Sequence, residues 1–582
     1  MNAISTSMNA GLTSSSHAGA EVRRGGIELA RNRLIFAVLF FCVAFFGLAA
    51  RTLELGFSAE APKRVVQKQI TVPPVRFARS DILDRNGEIL ATSLEMASLF
   101  ANPQSIKDPD EAARKLVAVL PGLSYADVKA KLSSNKKFVW LQRKISPRQK
   151  WAVNALGIPA FGFKSEDERL YPHGRLAAHV IGYSGLDNQG LGGLEHFFDE
   201  RLSDPDRSDV ALKLSLDIRV QYALADELEA AKRAYQAKGA TGLVMDVNTG
   251  EVLAMVSLPD FDPNNTRGAK DCELPKQAAN ASDASECGLF NRATQGVYEL
   301  GSTFKTFTFA AALDDGLVSF EDGYDATKPL KVSRFTISDD HPKNRYLTVP
   351  EIFTFSSNIG TAQMALDLGA DRQQEFLNEL GFLRPATIEL GEVGRPLFPA
   401  KWRKVSTMTI SYGHGIAVSP LQLASGIASM VNGGRLLPAT LVHNPDNWQQ
   451  GKQVITPATS RQIRQLLRMA VTKGTGGRAD AVGYRVGGKT GTAEKPVAGG
   501  YDRKALISSF VGVYPMDDPQ YVVFALLDEP KGTKETFNFA AGGWVAAPVV
   551  RNVILRTAPL LGVAPKKEDT GLYQNVAMMI EE

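Results

Sequence analysis

Leu34–Ala50 reads LIFAVLFFCVAFFGLAA, an uncharged apolar run just long enough to cross a bilayer as a helix. Arg23, Arg24, Arg31 and Arg33 precede it, with only Glu28 opposing them nearby. By the positive-inside rule the chain before the run stays in the cytoplasm, and everything from about Arg51 onward lies outside it. A buried core helix can be equally apolar but seldom carries such an arginine cluster. A cleaved signal peptide is the closer rival, because Gly47-Leu48-Ala49 resembles a small-residue cleavage site. The run is longer than most signal-peptide cores, however, and RTLELGF follows it directly, so a retained anchor is expected. No second apolar run of this length occurs. The expectation is a single-pass protein with a cytoplasmic tail at 1–33, an anchor at 34–54 and the remainder on the far side of the membrane.

Composition narrows what that remainder does. A net charge of +4 over 582 residues, with no basic block interleaved with aromatics, gives no case for nucleic-acid binding. Hydrophobic residues at 44% and charged residues at 22% describe folded domains, roughly two to four at this length. Seven histidines and three cysteines, without HExxH, CxxC or a paired histidine cluster, predict neither a metal site nor a cofactor.

Ser58–Ser80 contains APKR and TVPPVRF and reads as an extended basic linker. ILDRNGEILAT (82–92) places Asn86-Gly87 between two apolar stretches, a hairpin signal, and DEAARKLVAVL (110–120) has helical periodicity. The segment to Tyr235 is thus a small α+β module. From Thr241 the pattern changes: TGLVMDV and EVLAMVS flank Asn248-Thr249-Gly250, and far downstream ALISSFVGVYP and QYVVFALLDE form a second hairpin pair across Met516–Pro519. Helical stretches such as PLQLASGIASMVN (420–432) and SRQIRQLLRMAV (460–471) lie between the pairs, and a last helix follows near Val545–Leu561. Strands, a helical insert, more strands and a closing helix predict an α+β domain with an antiparallel sheet faced by helices.

Within that domain ELGSTFKTF (299–307) holds Ser302 and Lys305 three apart. Serine is a poor nucleophile without an adjacent base, and positions three apart share a helix face. The same spacing occurs twice in KLSSNKKF (131–138), Ser133 to Lys136 and Ser134 to Lys137, so spacing alone decides nothing. Surroundings decide it. TFKTFTFAAAL is apolar enough for a buried helix, where desolvation lowers a lysine pKa, whereas the other segment is polar surface. Two further motifs follow in order: Ser356-Ser357-Asn358 in FTFSSNIGTA, where two helices are expected to meet, and Lys489-Thr490-Gly491-Thr492 in RVGGKTGTAEK, ahead of the second strand pair. Together they form the SxxK, SxN, KTG set of serine acyl-transferases that recognise penicillin.

FNRATQGVYELGSTFK (290–305), SYGHGIAVSPLQLASGIASMVNGG (411–434) and GTGGRADAVGYRVGGKTGTAEK (474–495) resemble the transpeptidase domain of class B penicillin-binding proteins. ILDRNGEILA, RLYPHGRLAAHVIGYSG (169–185) and LGGLEHFFDERL (191–202) resemble their membrane-proximal pedestal, or dimerisation, module. The closing GGWVAAPVVRNVILRTAPLLGVAP (542–565) is most similar to division-specific members of the FtsI type. Leu300 and Thr306 depart from the prolines many relatives carry, and Arg79-Ser80-Asp81 replaces a more usual arginine-glycine.

The resemblance implies a linker and pedestal at 55–235, a transpeptidase domain with a helical subdomain at 236–565, and a C-terminal tail at 566–582. It implies that Ser302 attacks a D-alanyl carbonyl of a peptidoglycan stem peptide, with Lys305 as base. Ser356 would relay a proton, Lys489 would supply a second positive charge and Asn358 would bind the stem amide. Thr490, Gly491 and Thr492 would line the carboxylate and oxyanion end. It further implies β-lactams as covalent inhibitors, an inner-membrane location with a periplasmic catalytic domain, and a membrane-embedded glycosyltransferase and other division proteins as partners. His414 in GHG is assigned packing, since this scheme needs no histidine. Four rivals share some of these features: an elongation-specific class B enzyme, a carboxypeptidase passing the acyl group to water, a β-lactamase and a non-catalytic penicillin sensor.

Cys272 and Cys287 flank a polar stretch that would lie in an oxidising compartment, which leaves two readings open: two free thiols in a flexible loop, or a disulfide between them. It would contribute about 3 kcal/mol by the chain-entropy model. Mass spectrometry of non-reduced peptides should find the two linked; two alkylated thiols would mean a flexible loop instead.

Overall fold

The computed structural model describes residues 35–52, 78–266, 287–332, 335–444, 450–497 and 500–566. The expected cytoplasmic tail, most of the basic linker, Cys272 and nearly all of the C-terminal tail lie outside the described residues. Cys287 is buried and disulfide-bonded. Residues 1–76 and 77–582 are two separate units. In the first, Ile35–Thr52 (α1) is an 18-residue helix of mean hydropathy 2.1, with Phe36, Phe40 and Phe46 all exposed. A helix apolar on every side and uncovered by protein has the length and composition of a membrane span.

The second unit begins with the pedestal. Strands Ile82–Leu83 (β1), Ile89–Ala101 (β2), Val139–Ile145 (β3), Phe161–Leu170 (β4) and Leu212–Lys213 (β5) form one sheet. The Asn86-Gly87 turn joins β1 to β2 as expected, with Gly87 at φ +92°, a conformation that glycine adopts without strain. Helices Pro109–Val119 and Tyr125–Leu132 cover it, capped by Asp108 and Ser124. A buried charge cluster closes the module: Glu195 bridges the guanidinium groups of Arg79 at 2.8 Å and Arg169 at 2.7 Å.

The larger domain is built on helix Ile218–Ala234 (α2), strands Gly239–Asp246 (β6) and Val252–Leu258 (β7), and helix Lys305–Asp314 (α3). Helices Val349–Thr354 (α4), Asn358–Leu368 (α5), Pro420–Val431 (α6) and Pro457–Thr472 (α7) follow. Strands Gly487–Val497 (β8), Gly500–Tyr514 (β9) and Tyr521–Asp528 (β10), with helix Ala547–Thr557 (α8), complete it. The sheet runs β8-β9-β10-β6-β7 and is antiparallel throughout. Both hairpins read from the sequence are present, and β10 pairs with β6 to join them, a long-range contact the local patterns do not specify.

Side-chain alternation shows why the sheet needs helices on both faces. On β10, Val522, Phe524 and Leu526 enter the core shared with α3, α6 and α7, while Val523, Ala525 and Leu527 enter the core under α2 and α8. All six are fully buried. The result is a three-layer arrangement with α3 at its centre, every residue from Lys305 to Leu313 being buried. Serine 419 caps α6 in a reciprocal box with Gln422, and Pro420 occupies the first turn, so that helix starts where local chemistry dictates.

Phe307 packs on the rings of Phe304 and Phe382 at 5.5 and 4.8 Å, directly beneath the turn that carries Ser302. Phe307→Ala should cost about 3–5 kcal/mol of stability, as a large aromatic cavity does. Thermal unfolding of the purified protein measures it.

Candidate active site

Ser302 lies in a 3-10 turn, Gly301–Phe304, and Lys305 is the first residue of α3. Ser302 and Lys305 thus share a face across a 3-10 turn and the start of α3, where the spacing alone suggested one α-helix face. The tighter winding suits the pair, because side chains three apart eclipse in a 3-10 turn. The competing serines fare as their surroundings predict: Ser133 is exposed at a helix end, and Ser134 donates to the Lys131 carbonyl at 2.8 Å.

Two glycines allow the turn to sit where it does. Gly301 has φ +55°, and a Cβ there would lie 2.6 Å from the carbonyl oxygen of Thr492. Gly413 has φ +83°, and a Cβ there would lie 2.2 Å from the carbonyl oxygen of Gly301. Gly301, next to Ser302, is thus clamped between the KTG strand and the GHG turn at backbone-to-backbone distance. Strand β8 is the edge of its sheet, so its outer row of backbone groups is left without a strand partner.

Ser356 occupies the junction of α4 and α5, as the sequence implied, with φ +60°. Its hydroxyl is the meeting point of the site. Lys305 Nζ lies 3.0 Å from Ser356 Oγ and also bonds the Ser356 carbonyl, while Lys489 Nζ lies 2.9 Å from the same Oγ. Both lysines are fully buried. Burial lowers the Lys305 pKa to about 7, although the carboxylates of Asp339 and Asp340 act to raise it. Burial and the neighbouring Lys305 push Lys489 well below its ordinary value. The two nitrogens are no more than about 6 Å apart, and two full charges there would repel by about 3 kcal/mol at an effective dielectric of 20. Two full charges across the pair are therefore disfavoured. A hydroxyl between a neutral amine and an ammonium can accept from one and donate to the other, which is the arrangement a proton relay needs.

The remaining motif residues are fixed less directly. Thr492 Oγ1 accepts from the Gly542 amide at 3.0 Å, which leaves its own hydrogen free to donate. Thr490 pairs with the Thr475 hydroxyl at 2.9 Å. At Gly491 a Cβ would lie 2.5 Å from the Leu300 carbonyl, so only glycine lets β8 approach the nucleophile segment. Asn358 donates its amide to the Ser338 carbonyl at 3.1 Å instead of joining the lysine–serine trio.

Asp339 was not anticipated from the sequence. Its carboxylate accepts from Ser357 Oγ at 2.7 Å and from the Ile359 amide at 2.9 Å, pinning the start of α5. Only the acidic pair in ISDDHP could have drawn notice, and nothing local ties it to a motif eighteen residues on. Glu299 was also passed over, although it opens the nucleophile segment. It accepts from Tyr501 and from Gly415 N, and lies beside His414.

An antiparallel sheet between helical layers, with Ser302 in a 3-10 turn, Lys305 and Lys489 buried on the Ser356 hydroxyl, and a KTG edge strand, defines a penicillin-recognising acyl-transferase of the serine type. Residues 240–555 match the family described as Penicillin binding protein transpeptidase domain, and residues 74–205 match the Penicillin-binding Protein dimerisation domain. The chain belongs to the penicillin-binding protein transpeptidase family, in the class B arrangement of those two domains.

It is 38% identical over 543 residues to a probable peptidoglycan D,D-transpeptidase FtsI of Caulobacter vibrioides, covering 91% of this chain and 89% of that protein. It is 33% identical over 565 residues to a probable peptidoglycan D,D-transpeptidase PenA of Neisseria gonorrhoeae, covering 92% and 93%. The peptidoglycan D,D-transpeptidase FtsI of Escherichia coli is 28% identical over 537 residues, 87% of each chain. A crystal structure of penicillin-binding protein 3 from Mycobacterium tuberculosis, complexed with ampicillin, shares the fold. Its TM-score is 0.65 at 24% identity, covering 85% of this chain and 97% of that one. With α1 as its apolar helix, this is a membrane-anchored member of the family.

The Asp339 carboxylate acts to raise the Lys305 pKa. If Lys305 is the base, acylation by penicillin rises with pH as its ammonium deprotonates near 7. In Asp339→Asn the opposing charge is gone, the Lys305 pKa falls, and the midpoint of the pH–rate profile moves to lower pH. A midpoint that stays in place, or moves upward, would contradict this coupling.

Proposed function

We propose that this chain is a peptidoglycan D,D-transpeptidase that cross-links septal stem peptides during cell division, through an acyl-enzyme on Ser302. The observation that carries the reading is the Lys305–Ser356–Lys489 cluster, buried and hydrogen-bonded one turn from Ser302. A serine hydroxyl needs a base that is neutral near neutral pH, and burial brings Lys305 to about 7.

In this reading Lys305 takes the Ser302 proton as Oγ attacks the penultimate D-alanyl carbonyl. Backbone amides of Ser302 and Thr492 stabilise the oxyanion, whose charge exists only at that stage. The C–N bond then breaks. A proton passes through Ser356 to the departing amine of terminal D-alanine, and Lys489 carries the positive charge that keeps the relay poised. Thr490 and Thr492 receive the terminal carboxylate beside Gly491, and Asn358 binds the stem amide. An amine of a neighbouring stem attacks the ester carbonyl, forming the cross-link and releasing Ser302. A β-lactam enters the same path but leaves a stable ester.

The chain is read as an inner-membrane protein with residues 1–33 cytoplasmic, α1 within 34–54, a pedestal to 235, and a periplasmic catalytic domain at 236–565. The arginines before Leu34 support that orientation. Cross-linking consumes glycan made elsewhere, so a membrane-embedded glycosyltransferase and other division proteins are proposed partners, with the anchor and pedestal as the contact surfaces.

Fluorescent penicillin should label the wild type and leave Ser302→Ala unlabelled, while Ser133→Ala labels normally. Lys305→Arg should also lose labelling, because arginine keeps the charge but cannot act as a base. Depletion should give filamentous cells; round cells that still divide would favour the elongation-specific assignment.

A further inference from the structure

Between the pedestal and the larger domain lies a cavity of about 540 Å³, bounded by the segment His173–His179, by α2 and by the end of β7. No residue of the Lys305–Ser356–Lys489 cluster or of the KTG strand lines it. Leu176, Ala225, Met255 and Leu258 give it an apolar wall. Tyr222 on its border is 57% exposed, so the cavity is open to solvent. A space of that size, apolar with a few polar groups, has the character of a small-ligand site.

Its charged groups are mostly acidic. Asp226, Glu229 and Asp260 line it, against Arg175 as the one lysine or arginine among the described residues. Arg175 lies 3.1 Å from Asp260, and Asp226 is taken by Arg556 at 2.7 Å. Glu229 has no hydrogen bond or ion pair among the described residues. Burial raises the Asp260 pKa, Arg175 lowers it, and the Glu229 charge raises it again. Asp260 and Glu229 thus act on each other with one guanidinium to offset both.

His179 adds an independent acceptor. It is nine-tenths buried in the same lining, and its Nε2 lies 2.7 Å from the Gly288 carbonyl. A carbonyl only accepts, so Nε2 carries the hydrogen. Burial brings the ring's pKa down to about 4, so the imidazole is neutral and Nδ1 keeps a lone pair. Among the described residues Nδ1 has no hydrogen-bond partner. A buried acceptor without a donor calls for a partner from outside the chain.

We propose that this junction cavity binds an aliphatic ammonium, its charged end held by Glu229, Asp260 and His179 Nδ1 and its stem along Leu176, Met255 and Leu258. An ammonium has three donor hydrogens and no acceptor, which suits a lining of acceptors. Its methylenes suit the apolar wall, as a buried lysine stem does elsewhere. The same chemistry reaches the site from a free diamine or from a lysine side chain of another protein.

The test is calorimetry on the full-length protein in detergent with two probes, cadaverine and the peptide acetyl-Ala-Lys-Ala-amide. Pentanediol and the matching norleucine peptide are their uncharged counterparts. At least one amine should bind saturably, with its counterpart about tenfold weaker or silent. Glu229→Gln should weaken that binding about tenfold, the scale of one hydrogen bond to a charged group. Arg175→Ala releases Asp260 and should tighten it about threefold, the scale of an exposed ion pair. Thermal unfolding checks that both variants fold. Cadaverine binding assigns the site to a free amine, and binding of the peptide alone assigns it to a protein-borne lysine. Silence from both amines, equal binding of an uncharged counterpart, or an affinity unmoved by either substitution overturns the proposal.

Discussion

Two lysine amines buried against one serine hydroxyl are the constraint on which this site depends. Both side chains are buried from solvent, and they sit close enough that two full charges are disfavoured. The free energy that depresses Lys305 comes from the same packing that stabilises the domain, since α3 is buried along its whole length between the sheet and the helices above it. A lysine left in solvent one turn from a serine would lack the desolvation that depresses Lys305. Chemistry and stability are therefore coupled. Anything that let water reach α3 would loosen the core and return the base to its ordinary pKa.

The geometry around that cluster is set by close backbone approach. Gly301, Gly413 and Gly491 each stand where a Cβ would overlap a neighbouring carbonyl, and together they bring the nucleophile turn, the GHG turn and the edge strand into contact. Carboxylates then fasten the periphery: Asp339 pins the start of α5, and Glu299 gathers the nucleophile segment, the GHG turn and the β8–β9 hairpin. Each acts through hydrogen bonds to backbone or hydroxyl groups, which fix orientation more tightly than apolar contact does. The buried Lys305–Ser356–Lys489 cluster thus has acidic side chains fastening the segments around it.

Much of the fold was legible because its signals are local. Hairpin turns at Asn86-Gly87 and Asn248-Thr249-Gly250, the Ser419 cap of α6 and the apolar run of α3 all lie within a few residues of the structure they specify. The site was legible for a different reason. SxxK, SxN and KTG are each short and rigid in spacing, so their order along the chain stands in for contacts between segments far apart in sequence. Asp339, Glu299 and Tyr501 escaped because a lone acid or tyrosine carries no spacing rule, and its role exists only once distant backbone is beside it.

The sequence by itself determined an apolar segment able to span a bilayer, the hairpins and helices of two α+β modules, and the three motifs whose order implies serine acyl transfer. These follow from periodicity, capping and fixed spacing, which are properties of neighbouring residues. Tertiary structure decided that Ser302 sits in a 3-10 turn, that β10 joins the two hairpins into one sheet, and that Ser356 Oγ stands between Lys305 and Lys489. It also decided the burial of those lysines, and with it their pKa shifts. Desolvation and charge repulsion depend on distances across the fold, and no local pattern encodes them.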